Sequence, residues 1–188
     1  MEIIKTCFEG VLIIKPNSFV DNRGFFMETY QKDRYSELGI CYTFVQSNLS
    51  SSYKKGTIRG IHWQNEPYAQ TKLVQCIKGE IKDIVVDLRR NSQTFGEWIS
   101  IDLSESNRTQ VLIPDGFGHA FISLVDDVII EYKVNNNYCK ECERTIRYDD
   151  PTIKIDWNSF LEDFTPILSE KDMNASFLNE SDIDFDRV

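Results

Sequence analysis

The stretch Thr57-Ile58-Arg59-Gly60-Ile61-His62-Trp63-Gln64, with Ala69-Gln70-Thr71-Lys72-Leu73-Val74 close behind it, sets chemistry-bearing side chains among strand-forming residues. Isoleucine, threonine and tryptophan in so short a run favour a pleated strand over a helix. One histidine, two cations and three amides fall within the fourteen residues from Arg59 to Lys72. Strict alternation puts Arg59 and His62 on opposite faces of such a strand. Gly60 stands between them, and a bulge at that glycine would let both line one cavity.

Outward from this stretch, from Val11 to about Tyr148, short runs rich in Val, Ile, Phe, Tyr and Thr are broken by turn residues at close intervals. That layout predicts an antiparallel sandwich or barrel. Lys72 to Ile77 and Glu80 to Leu88 flank Lys78-Gly79, and Phe121 to Leu124 and Val128 to Lys133 flank Asp126-Asp127, so both pairs read as hairpins. Gln31 to Leu38, closed by Gly39, reads as one early helix. Asn158 to Asp163 and Glu170 to Met173 read as short C-terminal helical turns. In the run from Val128, alternation sends Val128, Ile130, Tyr132 and Val134 to one inward face, and His119 shares a face with Phe121.

No Pro/Gly/Ser-rich linker divides the 188 residues, 41% of them hydrophobic, so one domain over 1–188 with a single good-sized core is expected. The tail from Asn179 to Val188, with Glu180, Asp182, Asp184 and Asp186, reads as acidic and mobile. Met1-Glu2-Ile3-Ile4-Lys5 lacks a basic stretch leading into an apolar signal core. No run approaches the roughly eighteen apolar residues of a membrane span, which predicts a cytoplasmic protein with no membrane partner. A net charge of -9 disfavours a nucleic-acid partner, whose phosphates call for a broad basic surface. A small phosphorylated ligand needs only a few converging cations, and Arg23, Arg59, Lys72 and Lys171 are available. Five cysteines, at 7, 41, 76, 139 and 142, are an odd number in a chain too long to rely on disulfides, and they read as reduced thiols. Cys139-Lys140-Glu141-Cys142 has CxxC spacing without the second ligand pair that a zinc site needs.

A lone strand histidine or tyrosine is more often structural than catalytic, but here cations and amides accompany them in a β fold. One chemistry that uses this set is proton abstraction beside a ketone. A histidine titrates in the range a base needs, a tyrosine on the other face can return a proton, and an ammonium can hold the enolate oxygen. With only two histidines, His62 and His119, a three-histidine metal site is impossible, and no motif supplies the carboxylates for a two-histidine one. No metal and no organic cofactor is therefore expected.

In order and spacing these motifs resemble the dTDP-4-dehydrorhamnose 3,5-epimerase family of cupin-like sugar-nucleotide enzymes. The likeness runs from about Val11 to Met173. Asp21-Asn22-Arg23-Gly24-Phe25-Phe26-Met27-Glu28 is similar to the family's DxRGxFxE segment, and Gln46-Ser47-Asn48 to its QxN element. Arg59 to Gln64 matches RGxHxQ, Pro114 to Phe121 matches PxGFxHxF, Tyr132-Lys133 the YK pair, and Leu168 to Asp172 the LSxKD motif. The resemblance implies an all-β, cupin-like jelly roll with one short early helix and short C-terminal helices. It makes His62 the base, Asp172 its orienting carboxylate, Lys72 the enolate-stabilising cation and Tyr132 the proton donor. It makes Arg23, Glu28, Gln46, Asn48, Arg59, His119, Tyr138, Glu143 and Lys171 substrate contacts, with Arg23 and Glu28 acting across a homodimer interface. The implied reaction is epimerisation at C3, C5 or both of a nucleotide-diphosphate 4-keto sugar, in surface-carbohydrate biosynthesis. dTDP-4-dehydro-6-deoxy-D-glucose is the leading substrate and a GDP-4-keto-heptose the alternative. A non-catalytic carbohydrate- or nucleotide-binding jelly roll is the reading from another class.

Overall fold

The computed structural model describes residues 1–186. The apolar runs become β1 (Glu2–Lys5), β2 (Leu12–Lys15), β3 (Ser18–Asp21), β4 (Gly24–Met27), β5 (Gln46–Ser52), β6 (Ile58–Gln64) and β7 (Lys72–Lys78). They continue as β8 (Glu80–Asp87), β9 (Trp98–Ser104), β10 (Gln110–Ile113), β11 (Phe117–Ser123), β12 (Val128–Val134) and β13 (Glu143–Thr145). A six-stranded sheet runs β1-β2-β10-β7-β12-β5 and a five-stranded sheet runs β13-β6-β11-β8-β9, while β3 and β4 pair with each other alone. Every paired strand is antiparallel. The two larger sheets pack face to face as a cupin-like jelly roll, the sandwich that the spacing of the apolar runs predicts and the fold that the family resemblance implies.

The two expected hairpins are corrected. β7 lies in the six-stranded sheet and β8 in the five-stranded one; β11 and β12 are divided the same way in reverse. Lys78-Gly79 and Asp126-Asp127 are thus corners at which the chain changes sheet. Each strand carries one apolar row for the space between the sheets, and crossing keeps both rows pointing into it. Gly79 makes its corner at φ +82°, where a β-carbon would lie 2.9 Å from Val128 Cγ2.

Alternation sorts the core into three layers. Val74, Cys76, Ile81, Val85, Val111, Phe121 and Ile130 fill the space between the sheets, with Tyr132 packed against them. The outer face of the six-stranded sheet, including Leu73 and Leu112, is covered by Tyr35 and Ile40. Tyr35 comes from helix α1 (Lys32–Glu37), whose first turn is capped by the Gln31 side chain, so the early helix stands where expected. The outer face of the five-stranded sheet, including Ile58, Ile61, Ile84 and Val86, is covered by Ile153, Trp157, Leu178, Ile183 and Phe185.

That last layer corrects the expected mobile tail over 179–186. Ile183 and Phe185 are buried, the Arg90 amide donates to the Phe185 carbonyl at 2.8 Å, and the Asn65 side chain donates to the Asp182 carbonyl at 3.0 Å. The acids that suggested a solvated tail alternate with two buried apolar residues, the pattern of a segment laid on a surface rather than free of it. Positions 187 and 188 of that expectation lie outside the described residues.

Candidate active site

Polar residues replace apolar ones toward one end of the inward rows. On β7, Lys72 continues the row of Val74 and Cys76; on β12, Tyr132 continues that of Val128 and Ile130. A cavity of roughly 300 Å³ opens there, lined from the six-stranded sheet by Gln46, Asn48, Lys72 and Tyr132. From the five-stranded sheet come Arg59, His62, Gln64, His119 and Glu143, with Tyr138 from the loop between β12 and β13.

Arg59 and His62 share this cavity because β6 carries one extra residue between them. On β11, Phe121 faces Arg59 and His119 faces His62, so a step of two on one strand meets a step of three on the other. Gly60 sits in that irregularity at φ +117°, and a β-carbon there would meet the His119 carbonyl oxygen at 2.5 Å and the Ala120 Cβ at 2.6 Å. The bulge inferred from sequence is therefore present, and glycine is the residue that permits it.

The segment after β13 brings the carboxylate. The Ile58 amide donates to the Ile167 carbonyl at 3.0 Å and the Ile167 amide to the Gly56 carbonyl at 3.0 Å, seating the later chain beside the start of β6. Helix α2 (Glu170–Met173) follows, its N-cap Ser169 accepting from the Asp172 amide at 3.1 Å. Asp172 is thereby buried with its Oδ1 2.5 Å from His62 Nε2. The bond assigns the Nε2 proton to the side facing Asp172 and leaves Nδ1 as the basic nitrogen.

Electrostatics favour a neutral imidazole beside a charged carboxylate. Burial pushes the His62 pKa below its ordinary value, and Asp172, acting the other way, offsets only part of that. Burial also works against the Asp172 carboxylate, but its bonds with His62 and Ser169 hold it below the usual range. Lys72, only 8% exposed, is pushed by burial down to about 8, with the charges of Asp83 and Glu143 resisting a further fall. Its ammonium donates to the His62 carbonyl at 3.1 Å, which fixes it beside the histidine. Burial raises the Tyr132 phenol, keeping it protonated. Among the described residues no protein group hydrogen-bonds the Tyr132 hydroxyl.

The remaining predicted contacts divide. Gln46 and Asn48 are joined at 2.7 Å, and the Tyr138 amide donates to Gln46 at 3.1 Å. Glu143 accepts from the Tyr138 hydroxyl at 3.1 Å and pairs with Lys171 at 2.6 Å, which brings Lys171 to the rim. Arg23 and Glu28 do not line this cavity. Arg23 pairs with Asp21 in the exposed turn between β3 and β4, and Glu28 pairs with Arg34 at 3.0 Å. Sequence reasoning missed Asp83, fully buried with Oδ2 2.7 Å from His119 Nε2. The available signal was an acid between Ile81 and Val85 on an inward apolar row. Among the described residues no group of three or more His, Cys, Asp or Glu side chains gathers as metal ligands do.

The chain is similar to known proteins along nearly its whole length. The dTDP-4-dehydrorhamnose 3,5-epimerase of Shigella flexneri is 45% identical over 183 residues, covering 97% of this chain and 98% of that protein. A Legionella pneumophila dTDP-6-deoxy-D-glucose-3,5-epimerase, solved with dTDP-4-keto-L-rhamnose, superposes with a TM-score of 0.89 at 43% identity, covering 95% of this chain and 93% of that one. The Bacillus anthracis dTDP-4-dehydrorhamnose 3,5-epimerase, solved with TDP and PPi, gives 0.88 at 41% identity, covering 94% and 98%. The sequence profile of this group matches residues 5–180, so that nearly the whole jelly roll and the cavity strands fall inside it, and the chain belongs to the dTDP-4-dehydrorhamnose 3,5-epimerase family.

Proposed function

We propose that the protein is an isomerase that epimerises C3 and C5 of dTDP-4-dehydro-6-deoxy-D-glucose through an enolate. The observation that carries this reading is that His62 and Tyr132 line one cavity from opposite sheets, with Lys72 beside the histidine. Both carbons flank the C4 ketone, so one base and one acid on opposite sides of the ring serve either centre. His62 Nδ1 removes the proton from C3 or C5, and the electron pair moves onto the C4 oxygen. The Lys72 ammonium donates to the oxyanion, which exists only after proton removal; such a donor elsewhere contributes about 3–4 kcal/mol to the transition state. Tyr132 then delivers its phenolic proton to the opposite face of the carbon. This proton chemistry calls on the substrate's own ketone and on no metal or organic cofactor.

The nucleotide assignment is supported by the relatives, whose solved ligands are a thymidine diphosphate and a dTDP sugar. A homodimer is supported by the β3–β4 hairpin, on which Phe19, Val20, Phe25 and Phe26 all stand exposed. Arg23 and Glu28 lie on or just after that hairpin and outside their own cavity, which suits a role at the cavity of a second copy. A cytoplasmic setting suits an enzyme of nucleotide-sugar substrates, and no helix among the described residues is long and apolar enough to cross a membrane.

Turnover of dTDP-4-dehydro-6-deoxy-D-glucose in deuterated water tests the reading. The wild type labels both C3 and C5 and inverts both. His62→Asn, which keeps polarity but offers no basic nitrogen, lowers turnover by about a hundred- to ten-thousandfold. Tyr132→Phe retains exchange and forms little inverted product, because His62 can return a deuteron to the face it deprotonated. A wild type that leaves both α-hydrogens in place would mean that the domain binds without catalysis.

A further inference from the structure

Two cysteines without a place in this chemistry lie against the cavity wall. Cys139 and Cys142 bring their sulfurs within 3.0 Å across a turn in which the Cys142 amide donates to the Cys139 carbonyl at 3.2 Å. Both are partly exposed, whereas Cys7, Cys41 and Cys76 have no such neighbour in the described residues. The flanks of the turn are tied to the site. The Cys139 amide donates to Gln64 Oε1 at 2.8 Å, and the Cys142 carbonyl accepts from the Asn65 amide at 2.9 Å. Tyr138 immediately precedes the pair and Glu143 immediately follows it; both line the cavity and bond each other.

We propose that Cys139 and Cys142 form a reversible dithiol–disulfide site that governs how tightly the cavity holds its nucleotide. The oxidant is a low-molecular-weight disulfide. One cysteine thiolate attacks it, a mixed disulfide forms and one small thiol leaves; the second cysteine then attacks the mixed disulfide and expels the other small thiol. Two protein thiols become one disulfide, and the small disulfide becomes two thiols, so electrons and protons balance. In a reducing compartment the pair stays as thiols, in keeping with the sequence, and closes when the thiol pool is oxidised.

A disulfide bond is about 2.05 Å long, so closure draws the sulfurs together by roughly 1 Å. The turn tightens and pulls Cys139 against its bond to Gln64, and Tyr138 moves with it. His62, Lys72 and Tyr132 sit on strands of the two sheets and keep their places. Ligand affinity is therefore the property that changes, and the chemical step is spared. This consequence rests on the nucleotide-sugar reading above; formation of the disulfide does not.

The experiment compares the full-length protein after dithiothreitol with the same protein after oxidised glutathione. Peptide mass mapping locates the linkage, calorimetry measures dTDP binding, and steady-state turnover separates kcat from KM. Expected are a Cys139–Cys142 linkage, about tenfold weaker dTDP binding with a matching rise in KM, little change in kcat, and full recovery on reduction, in line with losing roughly one hydrogen bond and a ring contact. The Cys139→Ser/Cys142→Ser double variant binds dTDP as the reduced wild type does and keeps that affinity after the oxidant, whereas each single variant stops at the mixed disulfide with glutathione and forms no Cys139–Cys142 linkage. Failure of the linkage to form under oxidised glutathione overturns the site, and a mapped linkage with unchanged dTDP affinity overturns its effect. If the reduced protein does not bind dTDP at all, the nucleotide assignment fails together with that effect, and the mapped linkage still decides the site.

Discussion

At the residue scale the proposed mechanism sets a working pH range through two opposed groups. His62 must be neutral to accept a proton, and burial favours that state by lowering its pKa. Lys72 must be charged to hold an oxyanion, and burial brings its loss of charge down to about 8. The rate therefore rises with pH as His62 deprotonates and falls as pH passes about 8, giving a bell. In Asp172→Asn the partner that raised the His62 pKa is gone, so the acid limb moves to lower pH. Turnover drops as well, by less than in His62→Asn, since the imidazole survives but loses its charged orienting partner. A pH–kcat/KM profile for wild type and variant checks both points, and an unmoved acid limb would show that Asp172 does not act on His62. The sequence made the His62–Asp172 relation legible only through a motif, because a contact between residues 110 apart leaves no local trace. Asp83 escaped notice for the opposite reason: its strand was plain, but its pairing with His119 depends on which strand lies next to β8.

At the scale of elements, the bulge on β6 is the device that brings Arg59 and His62 onto one wall of the cavity. Gly60→Ala is expected to damage it twice, since the methyl group meets backbone and Cβ atoms of β11 at 2.5–2.7 Å and the φ of +117° is strained for any residue with a β-carbon. Overpacking of this kind costs about 1–3 kcal/mol, and each kcal/mol lowers Tm by about 2–4 °C in a chain of this size. Thermal unfolding and turnover should fall together, because Arg59 and His62 lose their common face. An unchanged Tm would mean that β11 yields without cost. Glycine inside a strand announced this feature in the sequence. The two sheet-crossing corners were not legible, because Lys78-Gly79 and Asp126-Asp127 join apolar runs in the same way a hairpin turn does. What separates the cases is the identity of each strand's neighbours, which is fixed by packing across the whole sandwich.

At the scale of the molecule, a hairpin that shows Phe26 at 71% exposure and Val20 at 70% asks for a covering surface. If the proposed homodimer forms through this hairpin, Phe26→Asp converts it to monomer in sedimentation velocity and weakens nucleotide binding, because on that reading Arg23 and Glu28 act at the cavity of a second copy. A variant that sediments as the wild type does would remove the hairpin from the interface. The docked segment 179–186 was half legible: Ile183 and Phe185 alternate with acids, but composition drew attention to the charge instead of the period. The separation of His62 from Asp172 also has a meaning in time. Chains are synthesised at about 5–20 residues per second, so a newly made His62 precedes its carboxylate by roughly 6–22 s. Throughout that interval β6 can be emerging and pairing, yet His62 has no carboxylate beside it. On the proposed mechanism, a chain that stops before residue 172 carries a histidine without its charged partner, and full activity waits for the segment that brings Asp172.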